Sequence, residues 1–89
     1  MAMAIVDPEE LLSFANTLEQ YLTDIEERTG MLSGAFERLG ETWRDEKRAS
    51  FEDTYHHLLN ALNAFKENSS EQIPYLRAMA EKINDYQRI

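Results

Sequence analysis

Cysteine is absent from this 89-residue chain, and only 3 glycines and 2 prolines punctuate it. Without cysteine there are no disulfide staples and no thiol nucleophile. With so little Gly and Pro, the chain lacks the turns that a small β-protein needs at every hairpin, and helix becomes the default. Basic residues are missing from the first 27 positions, which hold seven acids (Asp7, Glu9, Glu10, Glu19, Asp24, Glu26, Glu27) within a net charge of -8. Such a surface repels phosphate backbones and anionic lipid, so nucleic acid and membrane are excluded as partners. A cleavable signal peptide needs a basic segment ahead of an apolar one, yet the first cation is Arg28 and "MAMAIV" is too short for that core. No apolar run approaches a membrane span. The expected location is the cytoplasm, or outside the cell by a route that reads no cleavable signal.

What is present is 43% hydrophobic and 29% charged residues, ordinary for one small folded domain. A chain this short buries only about 60% of its unfolded surface, so it depends on very regular packing or on oligomerisation. The regularity is visible. "IVDPEELL" sets Asp7 as N-cap, Pro8 at N1 and Glu10 at N3, where carboxylates meet orphan N–H groups and the positive helix end. Leu11, Leu18, Ile25, Leu32 and Leu39 then recur every seven residues, flanked by Phe14/Ala15, Tyr21/Leu22 and Ala35/Phe36. The pattern predicts a first helix over about 8–39, closed by Gly40 as a C′ residue. Gly30 and Gly34 weaken its last turns, or else permit a close backbone crossing.

A turn over 40–43 follows, with Thr42 as the next cap. Phe51, Tyr55, Leu58, Leu62 and Phe65 start a second seam, which keeps its phase through Ser69 and Gln72 to Leu76, Met79, Ile83 and Tyr86. The second helix is expected over about 44–88, with a kink or break near 69–74 caused by Pro74. A short connection makes the two helices antiparallel neighbours. Folding about residue 42 sets Leu32 opposite Phe51, Ile25 opposite Leu58, and Leu18 opposite Phe65 or Lys66. The chain therefore reads as all-α: a two-helix antiparallel hairpin. Its first-helix stripe is too wide for one seam, so two hairpins are expected to pair into a four-helix bundle.

Trp43 is the only tryptophan, set against the charged run Arg44-Asp45-Glu46-Lys47-Arg48. Laid across the hairpin end, its ring would close the core, with burial worth about 4–6 kcal/mol before entropy. The alternative is an exposed partner contact. Trp43 in the turn, Phe51 eight residues on and the two long heptad helices make the chain resemble the WXG superfamily. Those proteins are early secreted antigenic target-like hairpins with a Trp-x-Gly turn. The resemblance covers nearly the whole chain and implies a substrate or partner subunit of a type VII secretion system. Asp45 replaces the family glycine. The family's export signal, Tyr-x-x-x-Asp/Glu, is not matched, since Met79 stands four residues after Tyr75 and Tyr86 lies too near Ile89. Family members without the signal travel with a partner that carries it.

No constellation points to catalysis, a cofactor or a metal. His56-His57 are spaced i, i+4 from Glu52 and Asp53, but adjacent histidines diverge by about 100° on a helix and no HExxH is present. No Gly-rich phosphate loop or nucleophile elbow occurs. Met1, Met3, Met31 and Met79 are too scattered for an adaptable groove. The expected function is that of a non-enzymatic interaction protein. Its turn motif is Trp43, Asp45 and Phe51, and its partner is a second copy or a paralogous hairpin, with a secretion ATPase or a larger helical protein as further candidates. The rival reading is an intracellular adaptor docking on a larger helical protein of a toxin, phage or defence cluster. Because helix 1 is expected to end its cover near Ser70–Pro74, Leu76, Met79, Ile83 and Tyr86 are candidate partner contacts on an arm projecting past the hairpin. The plain alternative is that this arm packs over its own bundle end.

Overall fold

The computed structural model describes residues 6–87, with side chains through residue 86. Two helices account for most of them: α1, Pro8–Leu39, and α2, Glu46–Gln87. They pack side by side as an antiparallel hairpin, and no strand occurs among the described residues. Met1, Met3 and residues 88–89 of the expected tail lie outside the described residues.

α1 starts where the acid-proline pair directs. Asp7 is extended (φ -76°, ψ 119°), and its carboxylate accepts the Glu9 N–H at 2.9 Å. At the other end Gly40 stays right-handed (φ -62°, ψ -17°) rather than adopting the left-handed conformation of a C′ glycine. The last carbonyls of α1 are satisfied by a tightened turn: Glu41 N–H donates to Arg38, and Thr42 and Trp43 N–H both donate to Leu39. Position 40 instead lies under the end of the Arg48 side chain, which would have to swing aside for a larger residue. A methyl there would sit 2.6–2.9 Å from the Arg48 guanidinium.

The second cap differs from expectation. Asp45, not Thr42, opens α2: its Oδ1 accepts the Arg48 N–H at 3.2 Å, while the Thr42 hydroxyl turns back to the Leu39 carbonyl. The connection therefore spans Gly40–Asp45, two residues longer than expected, and the pairing register shifts with it. Phe36 rather than Leu32 meets Phe51 (ring centroids 5.8 Å apart) and Tyr55 (4.9 Å). Tyr21 rather than Leu18 meets Phe65, edge to face at 6.5 Å.

The shift abolishes the expected overhang. Arg77 bonds Glu19 and Asn16, and Ala80 is fully buried, so residues 76–86 run alongside the first half of α1. Nor does Pro74 interrupt the helix; α2 continues through it. Pro74 and Ser70 are both exposed, so the carbonyl that loses its partner is open to water. Gly30 has nothing within 4 Å of an added Cβ and Gly34 has only Arg38 of its own helix at 3.6 Å, so neither marks a backbone crossing.

The core is thin. Ala15, Leu22, Tyr55, Ile73 and Ala80 are its buried apolar members, with the Tyr55 hydroxyl hydrogen-bonded to Ser33. The molecule is a rod of 67 × 24 × 15 Å with a radius of gyration of 19.8 Å, against about 12 Å for a compact chain of this length. It exposes 7416 Å², about 2,000 Å² more than a compact monomer of its length.

Candidate functional site

Seven-residue spacing keeps side chains in line along a helix, and the hairpin uses it twice on one face. From α2 that face carries Phe51, Leu58, Phe65, Met79 and Tyr86, all exposed, with Gln72 in the same series. From α1 it carries Leu18, Ile25, Leu32 and Leu39 together with Phe14 and Tyr21. The Tyr21–Phe65 contact joins the two series. Beside it lies an open groove of about 330 Å³ lined by Tyr21, Asp24, Ile25, Arg28, Thr29, Leu32 and Leu62. Phe14, Tyr21, Leu32, Phe51, Leu58, Phe65 and Met79 remain between 44% and 56% exposed, too much for members of a finished core.

The opposite face is polar and closed by ions. Arg77 holds Glu19 through both guanidinium nitrogens, at 2.9 and 3.3 Å, and reaches Asn16 at 3.0 Å; Lys66 approaches Glu26 at 3.9 Å. The hydrogen bond from Arg77, then its charge, holds the Glu19 carboxyl below its ordinary range. In return the bond to Glu19 raises Arg77. These groups are exposed, so their value is mainly in register.

The turn is a small self-satisfied assembly. Asp45 Oδ1 accepts both the Arg48 N–H and the Trp43 indole N–H, the latter at 2.9 Å. The Trp43 ring is half-buried and tilted over Phe51 at 6.1 Å, and Phe51 stacks on Tyr55 at 6.4 Å. Arg48 lies over the Phe36 ring at 4.9 Å and against Gly40; its Nε is buried without a partner. The turn residues singled out from sequence thus converge: Trp43, Asp45 and Phe51 are in mutual contact through the indole. The packing of Arg48 on Phe36 and against Gly40 was not legible, because nothing in the periodicity announces a guanidinium folded back on the turn.

The tail candidates divide. Leu76 and Ile83 are half-buried on the side facing α1, whereas Met79 and Tyr86 point outward, Tyr86 82% exposed. Met79 and Tyr86 therefore join the apolar face instead of forming a separate arm. His56 and His57 are exposed, and among the described residues no group of three or more His, Asp or Glu is placed to hold a metal. No described helix is long and apolar enough to cross a membrane. Against this geometry, neither the models of known protein families, nor the characterised proteins, nor the solved structures provide a match to the chain.

Proposed function

We propose that this chain is a non-enzymatic interaction protein whose apolar face pairs with a second hairpin to make a four-helix bundle, and that it serves as a substrate or partner subunit of a type VII-like secretion system. The observation that carries the pairing is the uncovered face. Its two heptad series run the length of both helices, and stable interfaces cover about 800 Å² per partner. The rod exposes that much and more beyond a compact monomer. For the secretion role the support is the resemblance of the turn, where Trp43 lies over Phe51. Asp45 in place of glycine does not weaken the turn, because it caps α2 and holds the indole.

One observation favours the intracellular adaptor instead: Met79 occupies the place of the acid in the export signal. Light scattering at micromolar concentration tests the pairing, with twice the chain mass expected; a stable, cooperatively folding monomer overturns it. Production beside a type VII secretion ATPase tests the role. Appearance in the medium only when the ATPase is active supports secretion, and retention in the cell regardless supports the adaptor.

A further inference from the structure

Helix propensity and packing fall together at one place along the rod. α1 carries Thr29, Gly30, Ser33 and Gly34 within a single stretch. An interior glycine lowers helix formation about fivefold relative to alanine, and adjacent Gly and Ser are a recurrent site of helix bending. Neither glycine serves a close approach. A Cβ on Gly30 would meet nothing within 4 Å, and one on Gly34 only Arg38 of the same helix, at 3.6 Å. α2 has its own weak point at Pro74, but there Ile73 and Ala80 are buried and Arg77 bonds Glu19 and Asn16. Tertiary contacts hold that helix. The glycines of α1 have no such backing.

The middle of the hairpin is hollow. From Leu22 to Ser33, the partner of the buried Tyr55, α1 runs ~16 Å, and no side chain between them is buried. On the facing stretch of α2, residues 56–72, none is buried either. Grooves of about 390 and 330 Å³ open on the two sides of this section, with Ile25, Thr29 and Leu62 as their common wall. Among the described residues, no hydrogen bond or ion pair joins the helices between the Glu26–Lys66 approach and the Ser33–Tyr55 bond. The ends are different. Ala15, Leu22, Ile73 and Ala80 close one, and the rings of Phe36, Phe51 and Tyr55 close the other.

We infer that residues 29–34 are a soft joint built into the fold, at which α1 opens and bends while both ends of the hairpin stay packed. Local opening draws on stretches with few buried apolar contacts, and here weak propensity coincides with a hollow. α2 is the stiff spine against which α1 moves, since residues 56–72 contain neither Gly nor Pro. Bending at the joint tilts the part of the apolar face that carries Phe14 and Tyr21 against the part that carries Leu39. The face is then not a fixed plane. Its curvature follows whatever covers it. The joint is a property of the single hairpin and does not depend on the pairing proposed above.

Native-state hydrogen exchange in low, rising urea tests the opening. A local event exposes little surface, so amides 30–34 should exchange about tenfold faster than amides 15–22, at rates that urea hardly changes. Amides 15–22 should instead accelerate with urea, as global unfolding requires. Gly30→Ala and Gly34→Ala meet no steric obstacle, and each should slow exchange at 30–34 about fivefold. One common rate and urea dependence along α1 would overturn the joint, and so would fast exchange that neither alanine slows. Spin labels test the bend, and the absence of native cysteine makes their placement clean. Gln20→Cys with Arg38→Cys spans the joint, five turns apart on exposed positions. Asp53→Cys with Glu71→Cys spans the same length of α2. With labelled chains diluted in unlabelled ones, the α1 pair should give the broader distribution of distances, narrowed by the two alanines. Equal breadth in the two helices means that α1 does not bend.

Discussion

The two long faces of the hairpin are built from the same helices yet finished in opposite ways. On one, Glu19, Asn16 and Glu26 reach across to Arg77 and Lys66, and the face is complete within one molecule. On the other, Phe65 and Tyr21 meet edge to face while Leu58, Leu32 and Met79 beside them are left about half exposed. Exposed ion pairs contribute little to stability, about 0–1 kcal/mol each, whereas each large apolar side chain brought out of water contributes about 1.5–3 kcal/mol. The difference teaches a division of labour. The polar face aligns α1 with α2, and the apolar face leaves large side chains in water, which is the driving force for the proposed pairing.

The largest effect should come from charging the apolar face. Phe65→Asp is expected to weaken self-association about a hundredfold or more, as for a central interface anchor, with analytical ultracentrifugation as the measurement. Unchanged association would move the interface elsewhere. Trp43→Ala comes next. The ring is half-buried in the single hairpin, so truncation should cost about 2 kcal/mol, below the ~3–5 kcal/mol of a fully buried aromatic. A thermal melt measures the cost, and a loss near the upper figure would mean that the second copy finishes burying the ring.

Asp45 sharpens the comparison at the turn, which belongs to neither face. Asp45→Ala removes a helix cap and should cost about 1 kcal/mol, while Asp45→Gly should cost only a few tenths from capping. Equal losses in urea titrations would show that the indole bond, which both variants remove, outweighs the cap. The smallest effect is on the polar face. Glu19 is held below its ordinary pKa by Arg77, so its contribution is present above the ordinary carboxylate range and is lost as pH falls through the lowered value. Glu19→Gln should flatten that acid loss without changing association. An altered dimer affinity would contradict the independence of the two faces.

Much of this was legible in the residues. The Asp7-Pro8 start, the Gly40 stop and the heptads at 11–39 and 51–86 specify two helices and an uncovered stripe, because periodicity and capping are local properties. The register was not legible. Thr42 and Asp45 are both good caps, and the choice between them moves every cross-helix pair. It is settled by the Trp43 indole and by Arg48 over Phe36, tertiary contacts that no spacing reveals. The same shift moved the tail from a projecting arm to the flank of α1. Pro74 misled for a different reason. Its cost depends on which side of the helix loses a hydrogen bond, and here that side faces water.

The 67 Å length of the rod has a practical consequence for anyone weighing this molecule. Its radius of gyration, 19.8 Å, is that of a compact protein of about 320 residues. A single hairpin would leave a sizing column early enough to pass for an oligomer, and a pair stacked face to face would thicken it while adding little to its length. Elution volume will therefore hardly tell one chain from two. Diffusion read together with sedimentation, which divides shape out of mass, will.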